Sequence, residues 1–346
     1  MSKKLFDFAI GNPPYQESQD DTSDKPVYNY MLDAAYEVCD KAEFITPARF
    51  LFNAGKTPKS WNEKMLNDDH FKVLKYYQDA QDVFPNTSVN GGVVITYRDA
   101  SNYYGKIITF SRFNELNTIL SKVREKSTGA FLDSIISQQS KWNLENLYSD
   151  HPELKDSIGS KGRERRLTTA ILTLPVFHDT FHEGDSAIIG LFNGKRRIRY
   201  IPNKYLEESH PSFKKWKVLI SSGDGAAGTI GLPIPARVSG TPFVLEPHVG
   251  FTQTFISFGA FDNKEEACSL EKYLKTKVAR TMLATLKITQ HNHKDTWANV
   301  PLQDFSNNSD IDWSKTIHDI DLQLYRKYDL SVEEINFIET HVKEMI

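Results

Sequence analysis

The chain has 346 residues, 39% of them hydrophobic and 25% charged, which is an ordinary globular composition at a length suited to two domains. Its longest apolar runs are under ten residues, too short to cross a membrane as a helix. The net charge of −3 hides an asymmetry: residues 160–217 carry twelve Lys/Arg against six Asp/Glu, which points to a region facing a polyanion within an otherwise acidic protein. The start, MSKKLFDFAIGNPPY, has no cleavable apolar leader, so a cytoplasmic location is expected. Cys39 and Cys268 lie far apart in helical patterns and are read as reduced thiols.

Residues 4–10 read as a buried strand. A helix is predicted over 27–38, with Met31, Ala34, Ala35 and Val38 on its apolar face. A strand follows at 42–47, then a helix at 58–66 with Thr57 as its cap and Pro58 in its first position. Strands at 71–77 and 91–99 complete an alternation that argues for a mostly parallel sheet covered on both faces. One more strand and a helix are expected within 106–126, and residues 143–160 are polar without a clear period. Short apolar runs (AIIGLF, RRIRYI, KVLIS) broken by glycine and proline predict a β-rich second domain. A long amphipathic helix is expected over 263–290, and Ser331 and Glu334 form a capping box opening the last helix. The predicted division is 1–142 and 143–346.

The stretch Asn12-Pro13-Pro14-Tyr15 directly follows the first strand. Two prolines fix successive φ angles and remove two backbone donors, leaving a stiff turn that presents acceptors: the Asn12 side-chain oxygen and the Pro13 carbonyl. Two aligned acceptors suit an exocyclic NH₂, and the Tyr15 ring suits the base that carries it. An aryl amine is a poor nucleophile because its lone pair is conjugated with the ring. Hydrogen bonds from both of its hydrogens draw the nitrogen toward tetrahedral geometry and restore that pair.

DFAIGNPPYQ resembles the catalytic motif of adenine-N6 DNA methyltransferases, especially the TaqI-type enzymes of type II and fused restriction–modification systems. The resemblance implies that Asn12 and Pro13 bind the adenine amine, that Pro14 shapes the turn, and that Tyr15 stacks on a base flipped from double-stranded DNA. AEFITPARFL (42–51) resembles the next strand of such domains, and DVFPNTSVNGGVVITY (82–97) a later motif in which Phe84 is the candidate second base-stacking residue. TQHNHKDTWANVPLQDF (289–305) resembles the end of their target-recognition domains. The implied fold is α/β, a partial Rossmann-like methyltransferase sheet followed by a β-rich recognition domain with C-terminal helices. The implied reaction is methyl transfer from S-adenosylmethionine to adenine.

Family members bind that cofactor with a glycine-rich loop that precedes the catalytic motif, yet eleven residues precede Asn12 here. Gly223-x-Gly225-x-x-Gly228 has the glycine spacing, but Pro233 and Pro235 forbid the helix that must follow, and Glu246 is a poor ribose ligand. No cofactor-binding residue is therefore assigned. Three arrangements fit: a second polypeptide supplies the cofactor half, the chain is an inactive remnant, or it is a non-catalytic DNA-binding or specificity component. DNA contacts are assigned to Lys161, Arg163, Arg165 and Arg166, and to Lys195, Arg196, Arg197 and Arg199. His291 and His293 lack the further ligands a metal site needs, and no metal is expected.

Overall fold

In the computed structural model, which describes residues 4–17, 25–158, 164–192, 195–223, 230, 234–287 and 291–345, the chain forms two compact units, residues 1–117 and 118–346. The first contains β1 (Phe6–Gly11), the short pair β2 (Gln16–Glu17) and β3 (Lys25–Pro26), α1 (Tyr28–Val38), β4 (Cys39–Pro47), α2 (Lys59–Leu66), β5 (Phe71–Tyr77) and β6 (Val93–Asp99). Its main sheet has the order β1-β4-β6-β5. β1 and β4 run parallel, with Ala9 opposite Ala42 and Gly11 opposite Phe44. β6 is antiparallel to both of its neighbours. The sheet is therefore mixed, and not mostly parallel as its apolar strands suggested. The reason is the link between β5 and β6, which holds one turn of 3-10 helix, Ala80–Asp82, and no crossover helix that would return the chain in parallel. At the end of that link Gly92 (φ +78°) passes so close to the Tyr77 carbonyl that a Cβ would lie 2.1 Å from its oxygen; only glycine permits this reversal.

α1 and α2 cover one face of the sheet. Tyr28, Leu32, Phe44, Phe50, Trp61, Met65 and Phe71 form the core there, with Tyr28 edge-on to Trp61 at 5.9 Å between ring centres. The buried stripe of α1 runs through Tyr28, Leu32 and Ala35, while Met31 is exposed. It is thus rotated from the expected stripe, because the large rings of Phe50 and Trp61 draw Tyr28 inward. Thr57 does not cap α2: its hydroxyl donates to Asn62 Oδ1 at 2.7 Å, and Pro58 takes the cap position. The expectation of a buried first strand also fails. Leu5, Phe6, Phe8 and Ile10 are 76%, 60%, 45% and 72% exposed; Phe6, Phe8 and Ile10 point to the sheet face opposite Ala9, which packs on the core under the helices, and β1 is paired on one side only among the described residues. Residues 106–113 form no strand before α3 (Asn114–Lys126).

The second unit continues with β7 (Ile136–Ser137), α4 (Leu144–Asp150) and α5 (Leu154–Ile158), so the polar stretch is partly helical. β8 (Asp185–Phe192), β9 (Lys195–Pro202), β10 (Trp216–Ser221), β11 (Phe243–Leu245), β12 (Val249–Phe251) and β13 (Phe255–Phe261) follow. They build two sheets, β11-β10-β13-β7 and β12-β8-β9. The predicted long helix is two helices, α6 (Lys264–Lys275) and α7 (Lys277–Ala284). Between them Thr276 is extended (ψ 150°) and its hydroxyl accepts from the Ala279 amide, so it ends one helix and caps the next. α8 (Ile317–Lys327) and α9 (Val332–His341) close the chain, the latter with the expected Ser331–Glu334 capping box. Among the described residues, no helix is long and apolar enough to cross a membrane.

Candidate functional site

The Asn12–Tyr15 turn lies at the carboxyl end of β1, next to the end of its parallel neighbour β4. It is tied down at both ends: Gly11 pairs with Phe44, and beyond the turn Gln16 pairs with Pro26 while the Val27 amide donates to the Tyr15 carbonyl at 3.3 Å. The crevice outside the carboxyl ends of parallel strands is where open α/β sheets bind ligands. Here it is an open cavity of about 820 Å³ lined by Asn12, Pro13, Pro14, Tyr15 and Gln16, among others. Asn12 is exposed, and Tyr15 is half-buried. The Tyr15 hydroxyl oxygen is itself buried and has no hydrogen-bond partner among the described residues. Burial raises the phenol's pKa, so the hydroxyl stays protonated at neutral pH and is no base.

The other walls come from residues to which sequence reasoning gave no site role, although segments 42–51 and 82–97 were singled out for their resemblance. Pro47 ends β4 and Arg49 follows it, Gly55, Lys56 and Thr57 precede α2, and Thr87, Ser88, Val89 and Asn90 come from the loop before β6. Phe84 lies in that same loop, half-buried, with its amide donating to the Ala80 carbonyl at 2.8 Å, and is not among the lining residues. Tyr28 also lines the cavity. Burial raises its phenol to about 12, against the hydrogen bond with Thr57 and the nearby Arg49 charge, which both lower it. The signal that might have exposed Arg49 is positional: it is a cation just past the end of the strand beside the motif strand.

S-adenosylmethionine carries an ammonium and a sulfonium. Among the described residues the lining includes two cations, Arg49 and Lys56, and no carboxylate. The cofactor's carboxylate would find a cation there, but among the described residues nothing complements its two positive centres, so the lining does not fit the cofactor as a whole. Gly225, Gly228 and Pro233 of the glycine-rich segment lie outside the described residues.

In the second unit, β8 and β9 form a hairpin with Gly190 opposite Arg197 and Ile188 opposite Arg199. Lys195 and Arg197 are exposed, as are Arg165 and Arg166; Lys161 and Arg163 lie outside the described residues. Arg196 lays its guanidinium over the rings of Phe243 and Phe255, 4.6 and 5.2 Å from their centres. Arg199 differs from its neighbours. Its side chain is 12% exposed and pairs with Asp179 at 3.0 Å, and it donates to the Leu172 and Phe177 carbonyls, so it braces the loop before β8. His291 and His293 stack on one another with ring centres 5.6 Å apart. His178, His182 and Asp185, which sequence reasoning passed over, bring ligand-type atoms within 4.8 Å of one another. The carboxylate there already accepts from His178 Nε2 at 2.6 Å and from the His182 amide at 2.8 Å.

Comparison with known proteins bears on the first unit. Residues 1–84 match the family model described as Eco57I restriction-modification methylase. A Mycoplasma pneumoniae protein named "uncharacterized adenine-specific methylase" is 28% identical over 115 residues, a match covering 32% of this chain and 27% of that protein. The Asn12–Tyr15 turn thus lies within the segment that is similar to the restriction–modification methylase family model.

Proposed function

We propose that this chain carries the target-binding half of a site-specific adenine-N6 DNA methyltransferase of the restriction–modification type, with S-adenosylmethionine as methyl donor. The observation that carries the reading is that Asn12, Pro13 and Tyr15 line one open cavity at the carboxyl end of β1. There the Asn12 side-chain oxygen and the Pro13 carbonyl accept the two amine hydrogens of an extruded adenine. The Tyr15 ring stacks on the base. The chain's own residues thus bind the base, orient its amine and return the lone pair to nitrogen; the amine proton released on methylation passes to solvent.

The donor is assigned to a cofactor-binding module, on this polypeptide or another, that pairs with the free edge of β1. Two observations support this: the described lining does not fit the cofactor as a whole, and β1 has an unpaired edge among the described residues beside the exposed apolar face of Phe6, Phe8 and Ile10. A parallel strand added there would end beside Asn12, about one strand spacing of 4.8 Å away, which brings the methyl donor to the amine. The exposed Lys195, Arg197, Arg165 and Arg166 are assigned to contacts with double-stranded DNA, with Arg196 held against its two phenylalanines beside them.

The test is methyl transfer from labelled S-adenosylmethionine into DNA free of adenine methylation, by the chain alone and with the product of the adjoining gene. Transfer to adenine is expected, lost in Asn12→Ala while DNA affinity persists. If neither mixture binds the cofactor or transfers methyl, the reading fails and a non-catalytic DNA-binding component is what remains. Full transfer by Asn12→Ala removes Asn12 from the chemistry. Phe8→Lys should weaken binding of the cofactor module tenfold or more, and unchanged binding would detach the module from β1.

A further inference from the structure

Arg49 is built into the catalytic cavity in a way the adenine-binding residues do not require. Its aliphatic stem runs between two glycines. A Cβ on Gly91 (φ +89°) would lie 2.8 Å from Arg49 Cγ, and one on Gly55 (φ +92°) 3.2 and 3.3 Å from Arg49 Cβ and Cδ. The surrounding backbone is pinned as well: the Ala48 amide donates to the Gly92 carbonyl at 3.0 Å, and the Tyr76 hydroxyl to the Gly91 carbonyl at 3.2 Å. A long side chain normally loses rotamer freedom when it binds; this one has lost part of it already. Yet the residue is exposed, and among the described residues its guanidinium has no carboxylate partner. Among the described residues the lining holds Arg49 and Lys56 and no Asp or Glu. A structural arginine held this firmly would be expected to face an acid, as Arg98 faces Asp68 at 2.7 Å in the same unit.

We propose that Arg49 is a phosphate clamp: a positioning residue whose guanidinium takes a backbone phosphodiester flanking the extruded adenosine. This rests on the reading that the cavity receives that adenine. A base gripped at its amine by Asn12 leaves its sugar and phosphates toward the cavity mouth, where an exposed planar cation with paired donors fits a phosphate bidentately. The clamp fixes the nucleotide at its far end, so the amine is held between two anchors.

The test is fluorescence anisotropy of single-stranded oligodeoxyadenylate and oligothymidylate with the full chain, between about 50 and 200 mM salt. Arg49→Gln should weaken both oligonucleotides and lower the slope of log affinity against log salt by about 0.7, the loss of one phosphate contact on a single strand. Arg49→Lys keeps the charge and should restore the slope. Asn12→Ala should leave the slope alone and remove the preference for oligodeoxyadenylate. An unchanged slope in Arg49→Gln overturns the clamp even where the adenine preference survives, which leaves the adenine reading intact. A lowered slope with no adenine preference in the wild type keeps the phosphate contact and discards the adenine reading. Loss of S-adenosylmethionine binding in Arg49→Gln with the slope unchanged reassigns the cation to the cofactor's carboxylate and overturns the clamp. A wild-type chain that binds neither oligonucleotide overturns both.

Discussion

Tyr15 separates the work of a ring from that of its hydroxyl. The hydroxyl oxygen is buried without a partner among the described residues, and burial keeps it protonated. Tyr15→Phe deletes that oxygen and leaves the ring. A buried polar group without a partner costs about 1–3 kcal/mol, so the phenylalanine variant should be as stable as the wild type or more stable by about 1 kcal/mol. Base stacking survives, and methyl transfer should stay within a few-fold. Tyr15→Ala removes the stacking surface, worth about 1–3 kcal/mol, a loss of about 5- to 150-fold in kcat/KM. Urea denaturation gives the stabilities, and methyl transfer to adenine with the cofactor module present gives the rates. A Phe variant as impaired as Ala would show that the hydroxyl takes part in binding or proton handling, and the stacking argument would be wrong.

Three further substitutions test the second unit. Lys217 is fully buried, its ammonium donating to the Lys215 and Glu246 carbonyls at 3.2 and 3.0 Å, and burial draws it down to about 7. The unfolded chain holds that proton more tightly, so this group makes stability rise with pH from about 7 to 10.5, by at most about 1.4 kcal/mol per unit. Urea titrations across that range should show the rise in the wild type and not in Lys217→Met; parallel curves would refute it. Arg199→Gln removes the donors to two carbonyls and should cost about 1–3 kcal/mol of stability. Arg197→Gln, on the exposed side of the same strand, should leave stability unchanged and lower the salt slope of duplex binding by about 0.9. The reverse pattern would exchange their roles.

The local features were legible because each is written in consecutive residues. The strand–turn at 6–15, α1, the Ser331–Glu334 box and the short strands β8 and β9 all follow from near-neighbour pattern and turn chemistry. What failed did so for non-local reasons. Apolar alternation says that a strand has something to bury, and β1 reads as interior for that reason; whether a neighbour is present is decided by another segment. Likewise, the assignment of the basic run at 195–199 to DNA treated Arg197 and Arg199 as equivalent. Only the fold of the loop at Leu172–Asp179 made one a brace and left the other in solvent.

The amino-acid order alone determined the stiff acceptor turn and its aromatic neighbour, since backbone stiffness and side-chain chemistry act within four residues. The tertiary structure decided what surrounds that turn. It brought Arg49, Lys56 and residues 87–90 to the same cavity from segments well separated in the chain, and it left the β1 edge unpaired among the described residues. Proximity across the sheet is set by strand order and direction, and those depend on the packing of the whole unit and on no single stretch of it.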